Sequence, residues 1–128
     1  MHTRSNPDGV RPPGGLYCHS VEVAAGARWL YIAGQTGVAA DGSVPDGITA
    51  QAEIAWSNIE TILAAADMEI EDVVWMKTFL TRREDRDGYQ KVRAKYMGDV
   101  RPASTFLIVS GLANPDFLVE VEAVAAKA

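Results

Sequence analysis

Residues able to do chemistry are sparse in this chain, and the least expected is a carboxylate inside a β-rich run. In Phe117-Leu118-Val119-Glu120-Val121-Glu122-Ala123-Val124-Ala125, successive strand side chains point to opposite faces. Leu118, Glu120, Glu122 and Val124 therefore share one face, and Val119, Val121, Ala123 and Ala125 share the other. Two carboxylates at that spacing lie roughly 7 Å apart and raise one another's proton affinity, which suits acid–base work. A solvated outer face would give the same pattern, so residue types alone leave both readings open. Cys18 beside His19 suggests a thiol–imidazole pair, but neighbours on a strand face opposite sides and cannot pair directly. His2, His19 and the scattered acids lack metal-ligand spacing, and no Gly-rich phosphate loop is present. Neither a metal nor a cofactor is expected.

The composition narrows the class of partner. With 128 residues, 48% of them hydrophobic and 23% charged, the chain predicts one globular domain over residues 1–128. A net charge of −5 argues against nucleic acid, which needs a concentrated basic surface. The densest basic stretch, Arg82, Arg83 and Arg86, alternates with Glu84, Asp85 and Asp87 and reads as a solvated helix start. No apolar run approaches the roughly 20 residues that span a bilayer. The first residues carry Pro and Gly where a signal peptide would carry an apolar core. A cytoplasmic protein with no membrane partner is expected, and the single Cys18 cannot form an internal disulfide.

Local patterns then give the elements that must position these groups. Residues 1–15 hold three prolines and three glycines and predict an irregular N-terminal segment. Segments 16–23 and 28–33 predict two strands of a hairpin, followed by a loop from Gly34 to Gly47. From Ile48 the period changes: Ala52, Ala55, Ile59, Ile62, Leu63 and Ala66 recur at helical spacing, with Asp46 as the expected N-cap. Val73–Thr81 predicts a buried strand. Asp85–Met97 returns to helical spacing through Tyr89, Val92 and Tyr96, stopped by Gly98 and Pro102. Strands over 103–110 and 117–126 complete a ββαβαββ order. The expected fold is α+β, a single sheet with two helices on one face. Its other face, bearing Trp29, Trp75 and Phe79, would expose a large apolar patch unless another chain covered it, which predicts a homo-oligomer.

The block Arg101-Pro102-Ala103-Ser104-Thr105-Phe106-Leu107-Ile108-Val109-Ser110-Gly111-Leu112, followed by Val119-Glu120-Val121-Glu122-Ala123, resembles the signature of the Rid family (reactive-intermediate deaminase, also called YjgF or endoribonuclease L-PSP). Ala33-Gly34-Gln35-Thr36-Gly37 is similar to that family's Ser-Gly-Gln-Ile-Pro loop, Tyr17 to its pocket tyrosine, and Tyr89-Gln90-Lys91-Val92-Arg93-Ala94-Lys95-Tyr96 to its Phe-x-x-Val-Asn-x-x-Tyr helix. The resemblance covers nearly the whole chain. It implies a chorismate-mutase-like domain assembled as a homotrimer, with ligand clefts between subunits.

In such enzymes water adds to the C=N carbon of a small imine and ammonia leaves. The resemblance implies that Glu120 positions the water, that Tyr17 closes the pocket and donates a hydrogen bond, and that main-chain donors near Gly34 polarise the substrate. It also exposes a departure. The family's deaminases read Pro-Ala-Arg-Ser where this chain reads Pro102-Ala103-Ser104-Thr105, so the arginine that grips the substrate carboxylate is absent. Ser104 or Thr105 offers a hydroxyl without charge. Arg93 stands where the family helix commonly has Asn, and the positive charge could have moved there. Ribonuclease activity, attributed to some relatives, would need a histidine pair and a basic groove that the sequence lacks. The expected activity is hydrolytic deamination of a small enamine, imine or related metabolite. The alternative is a non-catalytic protein of the same fold that binds a small acid.

Overall fold

In the computed structural model, which describes residues 2–128, the change of period at Ile48 marks the start of α1 (Ile48–Ala65). Its inward face buries Ala52, Ala55, Trp56, Ile59 and Leu63. Asp46 does not cap it. The first helical bond runs from the Gln51 N–H to the Gly47 carbonyl, which makes Gly47 the N-cap; its φ of 85° is a conformation that glycine adopts at no steric cost. The second helix, α2 (Arg86–Met97), follows a 3₁₀ turn at Arg83–Asp85 and ends at Gly98, whose φ is 55°.

Among the described residues six strands accompany these helices: β1 (Thr3–Ser5), β2 (Ser20–Glu22), β3 (Arg28–Thr36), β4 (Val73–Leu80), β5 (Ala103–Ile108) and β6 (Val119–Lys127). The main sheet has the order β3-β6-β4-β5, with β4 and β5 parallel and the other pairs antiparallel. Both helices lie on one face, α1 against β3 and β6 and against α2. The architecture is α+β as expected, but the hairpin of 16–23 with 28–33 does not form. β3 pairs with β6, matching Leu30 to Ala125 and Ile32 to Ala123, because both strands present apolar side chains to the same core. β2 pairs instead with β1 in a separate ribbon. The segment expected to be irregular is thus partly ordered, and polar side chains hold it. Arg4 donates to the carbonyls of Arg101 and Val73 at 2.8 and 3.1 Å. His2 Nδ1 accepts from the Ala24 N–H at 3.1 Å, so the ring proton sits on Nε2, 2.7 Å from the Ala126 carbonyl.

Side chains facing the helices form the core: Met76, Leu80, Val119, Val121, Ala123 and Ala125 from the sheet meet Trp56, Ile59, Leu63, Tyr89 and Met97. On the opposite face the apolar patch is real. Trp29 is 53%, Tyr31 78% and Leu107 41% exposed. Trp75 and Phe79 are half-buried beneath Lys77, whose Nζ lies 5.4 and 5.8 Å from their ring centres.

Two polar contacts fix how the helices meet the rest. Gln51, 2% exposed, donates from Nε2 to the Pro45 and Asp116 carbonyls and accepts at Oε1 from the Leu118 N–H. Its backbone touches β3's end so closely that a side chain at Gly37 would meet Gln51 Cα at 2.6 Å. On the far side of α1, Glu53 joins Lys95 Nζ at 2.7 Å and the Tyr96 hydroxyl at 2.8 Å. Lys95, then Tyr96, holds the Glu53 carboxyl below its usual range. Burial, then Glu53, pushes Tyr96 up to about 12 from 10.0. A raised pKa favours the neutral phenol in the folded state, so this contribution is complete below pH 10 and is lost as the pH rises through 12. Chemical denaturation across that window should show stability falling, and Tyr96→Phe should remove that part of the pH dependence. An identical alkaline profile for the variant would exclude this contact as its source.

Candidate functional site

A cleft opens where α2, the edge strand β5 and the segment before β2 converge. Cys18 sits in an isolated bridge to Ala103, its N–H donating to the Pro102 carbonyl at 3.0 Å. That bond holds the segment carrying Leu16 and Tyr17 at the start of β5. On the other wall, residues spaced three and four apart share one side of a helix, so Arg86, Gln90 and Arg93 project together, with Arg83 joining from the 3₁₀ turn. Strand alternation contributes Ser104 and Phe106. The cavity measures about 490 Å³. Phe106 packs edge-on against Tyr89 at 5.7 Å between ring centres, and Tyr89 is anchored in turn by a 2.8 Å hydrogen bond to the Thr78 hydroxyl.

Arg93 lies at the base of this cleft. It is 2% exposed, one terminal nitrogen donates to the Leu16 carbonyl at 2.6 Å, and its buried Nε has no partner. Burial pulls its pKa below the usual arginine value, opposed by Tyr89 and reinforced by the like charge of Arg101. A guanidinium stays charged through shifts of this kind, so a positive group is held in a poorly solvated position with donor capacity unused.

Glu120 is elsewhere. It lies on the face of β6 away from the helices with Glu122 and Val124, as alternation predicts, while Val119 and Val121 are buried. The β3–β6 register shifts between Ile32 and Gln35, and at that irregularity Gly34 meets the Glu120 side chain: a Cβ on Gly34 would collide with the Glu120 carboxylate. Glycine lets the carboxylate lie flat on the neighbouring main chain. Thr105 also belongs to this face, being exposed and in register with Lys77, which in turn pairs with Glu122.

The six residues singled out in the sequence thus form two groups. Arg93, Ser104 and Tyr17 share the cleft; Glu120 and Gly34 touch each other on the opposite face, and Thr105 lies on that face rather than in the cleft. Cys18 is buried, its thiol directed to the Ser20 carbonyl, while the His19 ring lies edge-on to Tyr17; they form no catalytic pair. The helix start is solvated as expected, Arg82, Arg83, Glu84, Arg86 and Asp87 all being exposed, but two of its arginines also face the cleft. Within that stretch only Arg82 is ion-paired, to Asp85 at 2.8 Å, and the other two line the cleft. Their spacing relative to Gln90 and Arg93 was visible in the sequence, but the intervening acids disguised it. Among the described residues no cluster of three or more His, Cys, Asp or Glu side chains could hold a metal.

The family model described as endoribonuclease L-PSP matches residues 10–127. A RutC family protein of Pyrococcus horikoshii is 34% identical over 115 residues, covering 85% of this chain and 86% of that protein. Among solved structures, a Rid-family protein of unknown function from Yersinia pestis superposes with a TM-score of 0.86 at 30% identity, covering 98% of both chains. RidA from an Antarctic Psychrobacter gives a TM-score of 0.72 at 27% identity, covering 96% of this chain and 98% of that one.

Proposed function

Because the chain belongs to the endoribonuclease L-PSP, or Rid, family, we propose that it is a cytoplasmic homotrimeric hydrolase that deaminates a small anionic imine in clefts between subunits. The observation that carries this reading is the division of the candidate residues between two faces. One holds arginines and neutral donors without a base; the other holds a base, Glu120, on the same face as Lys77 but without an arginine. A second chain laid on the exposed face would cover Trp29, Tyr31 and Leu107 and bring one chain's Glu120 toward another's Arg93.

The chemistry follows from the groups so joined. Arg93 holds the substrate carboxylate in place of the absent family arginine, with Ser104 supplying a neutral hydrogen bond and Tyr17 closing the cleft. Glu120 takes a proton from water as its oxygen attacks the C=N carbon, and main-chain donors near Gly34 orient the reacting group. Glu120 returns that proton to the nitrogen, giving the carbinolamine; as the C–N bond breaks, the hydroxyl proton is also relayed to the nitrogen, the carbonyl forms, and ammonia leaves with both protons of the water. A second reading, a protein that binds a small acid without turnover, is favoured by Ser104 in place of arginine.

Two measurements test the proposal. Light scattering should give about three chains per particle; a stable monomer at micromolar concentration would remove the shared site. Purified protein should accelerate ammonia release from 2-aminoacrylate-derived and larger imines. Rates indistinguishable from buffer across the panel, with small acids still bound, would establish the binder instead.

A further inference from the structure

The cleft holds more positive charge than one carboxylate requires. Arg83, Arg86 and Arg93 all line it, no Asp or Glu does, and this occurs in a chain whose net charge is −5. Glu84 and Asp87 flank the two outer arginines in sequence, yet neither lies within ion-pairing distance of them; Arg82–Asp85 is the ion pair of that segment among the described residues. Three guanidinium groups on one cavity with no carboxylate among its lining residues favour an anionic guest. They also differ in setting: Arg93 is buried at the base with an unpartnered Nε, whereas Arg83 and Arg86 are exposed. A single carboxylate on Arg93 would leave the outer pair unused.

We infer that this cleft takes a small dianion, with a carboxylate seated on Arg93 and a second anionic group, carboxylate or phosphate, on Arg83 and Arg86. The inference rests on the anion-binding reading of the cleft given above and narrows its ligand class. The planar guanidinium fork pairs with either anion through two parallel charge-assisted bonds, so the outer seat accepts both chemistries. Gln90, between the two seats on the helix, adds neutral donor and acceptor groups for the linking atoms. A cavity of about 490 Å³ is of the size that encloses a small metabolite.

Calorimetric titration of the full chain with matched acids tests this. 2-Oxoglutarate and 2-oxopentanoate share a five-carbon skeleton and differ in the second carboxylate, while 3-phosphoglycerate and glycerate differ in the phosphate. In wild type at least one dianion should bind tenfold or more tighter than its monoanionic partner, the better pair identifying the second group. The advantage should shrink as salt is raised. Arg83→Gln combined with Arg86→Gln, both exposed and outside the core, should abolish that advantage while leaving 2-oxopentanoate affinity within about twofold; a thermal melt confirms that the variant is folded. Equal affinity within each pair would overturn the dianion and leave Arg93 as a single-carboxylate anchor. A variant weakened equally for mono- and dianions would overturn the outer seat. No binding of any acid by an assembled wild-type protein would overturn both this inference and the anion-binding reading beneath it.

Discussion

Glu120→Gln is expected to lower ammonia release by about 10²–10⁴-fold, the loss that accompanies removal of one positioned acid–base group, while leaving small-acid binding and the melting temperature close to wild type. The amide keeps the shape of the side chain, which lies half-buried on the open face of the sheet, so folding has little at stake. Gly34→Ala gives the complementary test. The added methyl would collide with the Glu120 carboxylate, and the carboxylate, being the far end of a flexible side chain, would swing away at modest energetic cost. Activity should therefore fall in the same direction with stability changed by about 1 kcal/mol or less. Full turnover in both variants would show that Glu120 does not act on the water; a loss in Glu120→Gln alone would show that Gly34 does not set its position.

The sequence carried the helices and the central strands well because their signals are local. Alternation in 117–126 assigned Glu120 and Val121 to opposite faces, and the burial along β6 follows it from Val119 to Ala125, after which Ala126 is buried as well. The three-and-four spacing after Ile48 likewise located α1. Pairing was less legible. Segments 16–23 and 28–33 are adjacent in sequence and β-rich, which made a hairpin the natural expectation, yet the partner of β3 is β6, some ninety residues later, and nothing local encodes that choice. The ordering of the N-terminal segment was hidden for a different reason: it depends on His2 and Arg4 bonding distant carbonyls, contacts that leave no hydrophobic pattern.

The candidate site was legible as a set of residue types but not as a geometry. The family-like motifs brought Tyr17, Arg93 and Ser104 to attention, and the fold places them around one cleft. The same motifs could not show that Glu120 and Gly34 lie on the opposite face, because the face of a strand is readable while the sheet's partner is not. Arg83 and Arg86 were missed through a physical ambiguity: a mixed-charge run usually neutralises itself in water, and only the Arg82–Asp85 pair does so here.

Gln51 is the residue that neither composition nor motif would select, and it should be among the costliest to lose. It sits inside α1 at 2% exposure and satisfies three main-chain groups from two loops: the carbonyls of Pro45 and Asp116 and the N–H of Leu118. Truncation strands those part-buried groups, and each orphan costs up to the about 1–3 kcal/mol of a fully buried one. With partial rescue by water, Gln51→Ala should destabilise the fold by about 3 kcal/mol, a fall in melting temperature of roughly 10 °C for a domain of this size. Because the Leu118 bond holds the chain where β6 begins, two residues before Glu120, turnover should drop with it. Gln51→Glu separates size from chemistry. It keeps the acceptor for Leu118 but turns a carboxylate oxygen toward two carbonyls, which penalises ionisation and raises the folded-state pKa. Its stability should therefore be poor at neutral pH and recover as the pH falls and the carboxyl becomes a donor, until general acid unfolding intervenes. Melting temperatures for both variants within about 2 °C of wild type at neutral pH would mean that these three bonds are replaced by water at no cost, and that the loops before α1 and β6 are held by packing alone.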